Sequence, residues 1–399
     1  MKGTRTLGIL GFILGFLMGG IPAQAEVGVT DREIKIGGIV DLSGPIAFMG
    51  KGVSDGALLY FKHINDQGGI HGRKINYLVE DDAYQGPRAV AAAKKLVSRD
   101  QVFCLFMILG SLQTNALYPG MEKEGVPVLL PATQTRDMGI PPKKYLFHAD
   151  TSYTTQSKIA IEYIVEELKD KKPRIGVLYQ DDLPGEDWLR GCRIAAKHYG
   201  FELAAAESYK RGTIDFSPQV AKLNSAKAAY VLKWTLVREP AAIMKEAMRL
   251  QYKPLWITST ASADNRVIAL AGEAAYFGQG FLATGIAHNV LAEDTPKIRE
   301  FKENTKKFQL GDINNFYNWY GYGHATTLVE GMKRAGKDLT REGLIKALET
   351  FKEYENGVLS PVTWGPNLRA GGTSILMHKA EKGVWLPFGG WRKSKIPED

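Results

Sequence analysis

The sequence predicts an α/β protein built as two doubly wound lobes, each with a parallel-type central sheet. Two observations predict it. Short apolar runs alternate with stretches of one-sided, helical hydrophobicity along most of the chain, and strands alternating with helices argue for parallel sheets covered on both faces. The alternation pauses once, around residues 131–153, where Pro131, Pro141 and Pro142 interrupt it, and then restarts. That pause places the boundary between the lobes near His148.

Taken in order, residues 1–25 come first. Lys2 and Arg5 precede an apolar run from Leu7 to Met18 that glycines interrupt, and Ala23-Gln24-Ala25 ends it. This is the charge, core and small-residue order of a cleaved signal peptide. The run falls short of the ~20 residues a membrane span needs. No cysteine stands at the cleavage site to carry a lipid. Export with cleavage after Ala25 is expected.

Strand-like runs then fall at residues 34–40, 75–80, 102–107 and 128–130, with helical stretches at 53–67 and 88–99. A short run at 145–148 follows the prolines. The second series has strand-like runs at 174–179, 202–208, 229–233, 255–257 and 280–284, with helical stretches at 158–168, 187–198 and 239–250. In the first of these, Ile161, Ile164, Val165 and Leu168 recur at helical spacing while Glu162, Glu166 and Glu167 point away, which is one apolar stripe against a sheet. After a looser stretch, 284–294, come helical stretches at 295–307, 319–335 and 340–350 with few strands between them. They are expected to return to the first lobe.

Removing the signal leaves 374 residues, enough for two domains with substantial cores. The formal charge of +8 becomes +6 without Lys2 and Arg5. Basic residues are interspersed with acids, as in residues 166–172, whereas nucleic-acid binding needs them clustered on one face. No nucleic-acid partner is expected. Cys104 lies in a strand-like run and Cys192 in a helical one far along the chain. Both are read as buried thiols acting as small hydrophobes.

Catalytic signatures are scarce. Gly52-Val53-Ser54-Asp55-Gly56 spells a nucleophile elbow, but Ser54 falls in the first turn of a helix, where capping is its natural role. The stretch Gly331 to Lys337 spells most of a phosphate loop, but Asp338 stands where a hydroxyl should hold the metal and the segment ends a helix. Gly278-Gln279-Gly280 spells a dinucleotide turn, but Phe281-Leu282-Ala283 reads as the strand itself. The seven histidines have no metal spacing, and Glu80-Asp81-Asp82 reads as a polar turn. No metal and no cofactor are expected.

Two turns are better candidates. One runs from Leu109 through Gly110, Ser111, Leu112 and Gln113 to Asn115, after a strand and at a helix start that Ser111 is placed to cap. A helix start offers unpaired N–H groups and a positive dipole end, which suits a carboxylate. The other is Pro131-Ala132-Thr133-Gln134-Thr135. In open α/β sheets, ligands bind beyond the carboxyl ends of strands. Tyr153, Trp234 and the run Phe316 to Tyr322 supply aromatic candidates, although aromatic residues at helical spacing are usually core.

These residues resemble a family. The run Ile36-Gly37-Gly38-Ile39-Val40-Asp41-Leu42-Ser43-Gly44-Pro45 is similar to the first strand and turn of type I periplasmic solute-binding proteins, the leucine/isoleucine/valine-binding-protein-like receptors of ABC importers. Asn65-Asp66-Gln67-Gly68-Gly69, Glu80-Asp81-Asp82, Gly125-Val126-Pro127-Val128, Val177 to Asp182 and Asp215-Phe216-Ser217 follow in order, so the resemblance covers essentially the whole mature chain. It implies two lobes joined by three crossover segments, residues 26–147 with 285–372 and residues 148–284 with 373–399. It also implies a periplasmic, monomeric receptor that passes a small carboxylate-bearing solute to an inner-membrane ABC permease.

By the same resemblance Ser111, Ala132 and Thr133 hold the solute carboxylate, Leu109, Gly110 and Gln134 flank them, and Tyr153 and Trp234 approach from the second lobe. The family's amino-acid receptors carry an acid after the strand matching residues 255–257. Here Thr260 stands there. Either Asp150, Asp182 or Asp264 meets the ammonium, or the solute has no amine. Two further departures are the missing cleft tyrosine near Pro184 and a missing first-lobe disulfide, where Tyr84 and Gly110 stand. The rival readings are a soluble sensor domain of the same fold and an exported hydrolase.

Overall fold

The computed structural model describes residues 26–397, so the predicted signal peptide lies outside the described residues. The first sheet has five parallel strands in the order β2-β1-β3-β4-β5, namely β1 (Glu33–Val40), β2 (Lys74–Asp81), β3 (Cys104–Phe106), β4 (Val128–Leu129) and β5 (Leu146–Phe147). Helices α1 (Ala47–Asp66), α2 (Gly86–Lys94) and α3 (Ser111–Lys123) connect them. Both faces of the sheet are buried. Ile34, Ile36 and Val40 of β1, with Cys104 and Phe106 of β3, join the core beneath α1. Ile39 and Leu105 face a second cluster with Ala89 and Ala93 of α2 and Leu117 of α3. Near-continuous apolar strands follow from that double burial.

The second sheet has seven strands in the order β12-β11-β10-β9-β8-β6-β7. Its parallel part comprises β6 (Ile175–Gln180), β7 (Ala205–Tyr209), β8 (Tyr230–Trp234), β9 (Leu255–Thr258) and β10 (Gly280–Gly285). Helices α4 (Tyr153–Glu162), α5 (Leu183–Tyr199), α6 (Ser217–Ser225), α7 (Glu239–Arg249) and α8 (Asn265–Ala271) accompany it. The chain then crosses back. Helices α9 (Pro296–Phe308) and α10 (Phe316–Ala335) pack on α1, and α11 (Arg341–Leu348) packs on α10. A third crossing adds β11 (Ser374–Glu381) and β12 (Val384–Lys393) antiparallel to the second sheet.

Several predicted element limits move. The strand expected at 202–208 is β7, Ala205–Tyr209, and α1, α4 and α5 begin earlier than their apolar periodicity does. Asp182 caps α5 through Gly185 N–H at 3.2 Å, and Pro184 occupies its first turn, where its missing N–H costs nothing. Ser54 is not a cap. It lies well inside α1 and its hydroxyl donates to Lys51 O at 3.1 Å. Cys104 and Cys192 are unpaired and buried, and burial pushes each thiol up to about 12.

The opening motif has a structural reason. The Asp41 carboxylate accepts N–H groups from Gly44 and, at 2.9 Å, from Ile46, which folds the turn after β1. Asp81 at the end of β2 accepts Leu42 N–H at 2.9 Å and the Ser43 hydroxyl at 2.6 Å, fastening that turn to its neighbour. Helices α1 and α10 cross with their backbones in contact. A Cβ on Gly56 would lie 1.9 Å from Asn318 O, and one on Gly321 would lie 2.1 Å from Val53 O. This crossing brings the first turns of α10 to the carboxyl end of the first sheet.

Candidate functional site

The first wall is built by the turns after β3 and β4. Leu109 and Ala132 form a parallel bridge, and Gly110 N–H donates to Ala132 O at 3.2 Å. Ser111 was expected to cap α3, but the cap residue is Gly110, at φ +107°, and no side chain caps the helix. A side chain at Gly110 would be strained at that φ, and its Cβ would fall 2.3 Å from Gln113 Oε1. Freed from capping, Ser111 Oγ sits 2.5 Å from Thr133 Oγ1. The amides of Ser111, Leu112 and Gln113 occupy a first turn that has no intrahelical acceptors for them. His148 Nε2 lies 2.7 Å from Thr133 O and steadies that turn.

The opposite wall comes from the second lobe. Ser152 caps α4 by accepting Thr155 N–H at 3.1 Å, so Tyr153 begins the helix, and Tyr153 N–H donates to Gln134 O at 2.8 Å. The Tyr153 ring meets Trp234 edge-on, with centroids 5.6 Å apart. Thr260 follows β9, and its N–H donates to Gln156 Oε1 at 3.2 Å. Thr260 Oγ1 is buried without a hydrogen-bond partner among the described residues. A buried donor left unpaired is costly, so this hydroxyl is poised for a ligand.

All nine residues singled out from the sequence line one cavity: Leu109, Gly110, Ser111, Ala132, Thr133, Gln134, Tyr153, Trp234 and Thr260. Its water-accessible volume is about 50 Å³. One water needs ~10–15 Å³ on that scale, so the space suits a small solute. The sequence reading missed Ile46, Met49, Val53, Tyr84, Pro184, Leu236 and Ala261, and did not select Phe316, Tyr317 and Tyr320, which also line it. The aromatic run of α10 divides. Phe316, Tyr317 and Tyr320 turn to the cavity, whereas Trp319 packs on Phe301 at 5.1 Å. Their helical spacing was the available signal, and the crossing with α1 decides which face looks inward.

The three acids considered as ammonium partners are engaged elsewhere. Asp150 accepts Gln134 Nε2 at 3.0 Å and the Tyr320 hydroxyl, and its Oδ1 is 3.2 Å from His324 Nε2. Burial pushes the Asp150 carboxyl up, but the neighbouring His324 and His148 imidazoles and the Tyr320 hydroxyl outweigh it and hold it below the usual range. Asp182 serves α5, Gln180 and Arg211. Asp264 is forked by Arg266 at 2.8 and 2.9 Å and accepts Phe316 N–H at 3.2 Å. None of the three lines the cavity, and no charged side chain does among the described residues.

Contacts across the cleft hold the lobes together. The Arg211 guanidinium lies 4.6 Å over the Tyr84 ring, and that of Arg266 lies 4.4 Å over Phe48 while donating to Asn315 Oδ1 at 3.1 Å. Tyr317 donates its hydroxyl to Ala261 O at 3.2 Å. Among the described residues, no group of three or more His, Cys, Asp or Glu is placed to hold a metal, and no helix is long and apolar enough to cross a membrane.

Two α/β lobes closing on a neutral, aromatic-walled cavity define a two-lobed solute receptor. A family model described as periplasmic binding protein matches residues 33–383, and the chain belongs to that family, in its type I, leucine/isoleucine/valine-binding branch. The "Leucine-, isoleucine-, valine-, threonine-, and alanine-binding protein" of Pseudomonas aeruginosa is 25% identical over 339 residues, covering 84% of this chain and 86% of that protein. The "Leucine-specific-binding protein" of Salmonella typhimurium is 24% identical, covering 88% and 94%.

Two solved structures share the fold. A branched chain amino acid ABC transporter protein from Thermus thermophilus with bound valine superposes with a TM-score of 0.83 at 22% identity, covering 92% of this chain and 97% of that one. A fatty acid ABC transporter substrate-binding protein from Thermomonospora curvata gives 0.80 at 24% identity, covering 94% and 95%.

Proposed function

We propose that this protein is an exported, periplasmic receptor that captures a small, amine-free carboxylate with an apolar or aromatic body and delivers it to an ABC permease. The observation that carries the reading is the cavity lining, which combines a helix start and two hydroxyls with aromatic rings and no charge. The relatives named above are described as binding amino acids or fatty acids, and a carboxylate is common to both. An amino acid also brings an ammonium, and burying that charge without a partner is costly. The neutral second wall therefore favours the amine-free class. None of the proteins named above is described as a sensor.

In this reading the carboxylate rests on Ser111 Oγ, Thr133 Oγ1 and the first amides of α3. Hydrogen bonds to an ionised group contribute roughly 1.5–3 kcal/mol each, which offsets desolvation without a cation. The apolar body lies among Tyr153, Trp234, Tyr317 and Tyr320, and Thr260 Oγ1 meets a polar atom of the solute. The lobes are residues 26–147 with 285–372 and residues 148–284 with 373–397, and they close by hinge motion. Solute biases the closed state through contacts made only there. The receptor acts as a monomer, makes and breaks no bonds and needs no cofactor. Cleavage after Ala25 releases it.

A thermal-shift screen tests this on protein from Glu26 onward, refolded to strip carried-over solute. The panel pairs branched-chain and aromatic amino acids with the matching amine-free acids and amides. Stabilisation by the acids supports the reading, and stabilisation by the amino acids alone refutes it.

A further inference from the structure

Beside the solute cavity lies a second, larger chamber of about 360 Å³, lined by apolar Ile46, Phe48, Phe216, Val237 and Ala242, by the exposed Ile214, and by the charged Arg211, Arg238 and Glu239. Ile46, Tyr84 and Leu236 line both spaces and so lie between them. Tyr84 is the large one, and it is held under constraint. Ala83 and Tyr84 both take left-handed backbone conformations, at φ +47° and +60°. Such backbone is unfavourable for a bulky residue and persists only where its surroundings impose it. Here Asp81 Oδ1 accepts Ala83 N–H at 2.9 Å and Asp82 Oδ1 accepts Tyr84 N–H at 2.8 Å. The ring is then fixed on both sides, by Arg211 stacked 4.6 Å above it and by Gly110, where an added Cβ would lie 2.9 Å from Tyr84 Cε2.

We infer that Tyr84 sets the length of solute this receptor accepts, by shutting the carboxylate-binding cavity off from the adjoining, mostly apolar chamber. The inference rests on the carboxylate reading above. In the native protein an acid must end at the Tyr84 ring. Without the ring, the two spaces join and an alkyl tail passes from the first into the second. Each methylene newly buried there raises affinity roughly fourfold. The strained backbone indicates the variant to use, since glycine adopts φ +60° freely and Tyr84→Gly removes the ring without disturbing the turn.

The experiment is calorimetric titration of native protein, Tyr84→Gly and the double variant Tyr84→Gly/Ala242→Phe with straight-chain carboxylates from butanoate to decanoate. A thermal melt of each variant accompanies it. Native protein is expected to bind short acids and to lose about tenfold or more on reaching octanoate. Tyr84→Gly is expected to bind octanoate and decanoate at least about tenfold more tightly than native protein does. The double variant, with the chamber filled, is expected to lose that gain. Native protein that holds decanoate as tightly as butanoate overturns the inference. So does a folded Tyr84→Gly that binds short acids and gains nothing for long ones, and in both cases the carboxylate reading survives. Failure of every carboxylate with native protein and variant alike overturns that reading, and the length gate with it.

Discussion

At the residue scale, the site depends on where hydroxyls are not used. Ser111 would ordinarily be spent on capping α3, but Gly110 takes the cap position and leaves Ser111 Oγ to face Thr133 Oγ1. Ser111→Ala and Thr133→Val are therefore expected to weaken acid binding by roughly ten- to a hundredfold each, with less than additive loss in the double variant because the hydroxyls contact each other. Titration calorimetry with one acid checks this, and an unchanged affinity in both would remove the carboxylate from this wall. The two turns were legible in the sequence because small hydroxylated residues follow short apolar strands. Tyr84 was not legible. Its place in the wall depends on a left-handed turn that Glu80-Asp81-Asp82 does not spell.

At the element scale, the α1–α10 crossing positions Tyr317 and Tyr320. Gly56→Ala would drive a methyl group into Asn318 O. Overpacking of this kind costs about 1–3 kcal/mol, to be seen in urea melts, and should weaken binding by moving α10. Gly56 was visible in the sequence as part of a nucleophile-elbow look-alike, and the helix pairing shows why it is there. Strand β8 carries the opposite oddity. Lys233 is fully buried, its Nζ has no hydrogen-bond partner among the described residues, and it sits 4.2 Å over the Phe281 ring.

Burial pushes the Lys233 ammonium well below its ordinary range. The Phe281 ring, with the Trp256 ring 5.9 Å away, offsets on the order of 2 kcal/mol, against several for desolvating an ion. Between the lowered folded value and about 10.4 the unfolded chain binds the extra proton, so this residue costs stability at neutral pH and the cost fades as pH rises. Lys233→Met is expected to stabilise by ~1 kcal/mol or more at pH 7, and the gain should shrink toward pH 10. A gain that does not vary with pH would show that Lys233 titrates alike in the folded and unfolded chain, so that burial does not perturb it.

At the scale of the whole molecule, the alternation of strands and helices disclosed two lobes, because each lobe is a locally wound sheet. The return of α9, α10 and α11 to α1, and of β11 and β12 to the second sheet, was an expectation only. Such long-range packing leaves no periodic trace in a chain. Closure joins the scales. Arg266→Lys keeps a charge for Asp264 but loses the fork and the planar stack on Phe48. It is expected to speed solute dissociation about fivefold, or ~1 kcal/mol, with little change in the unliganded melt. Stopped-flow fluorescence reads the rate, and an unchanged rate would mean the contact does not hold the lobes shut.

The proposed selection of an acid without an amine rests on the neutral cavity. The measurement that tests it most directly is titration of native protein and Thr260→Asp with 3-phenylpropanoate and with phenylalanine, which differ only by the amine. Native protein is predicted to bind 3-phenylpropanoate at least about a hundredfold more tightly than phenylalanine, and Thr260→Asp to narrow or reverse that ratio. Native protein that binds phenylalanine and ignores 3-phenylpropanoate would contradict the account, since an ammonium partner would then have to exist in a wall where the structure places none.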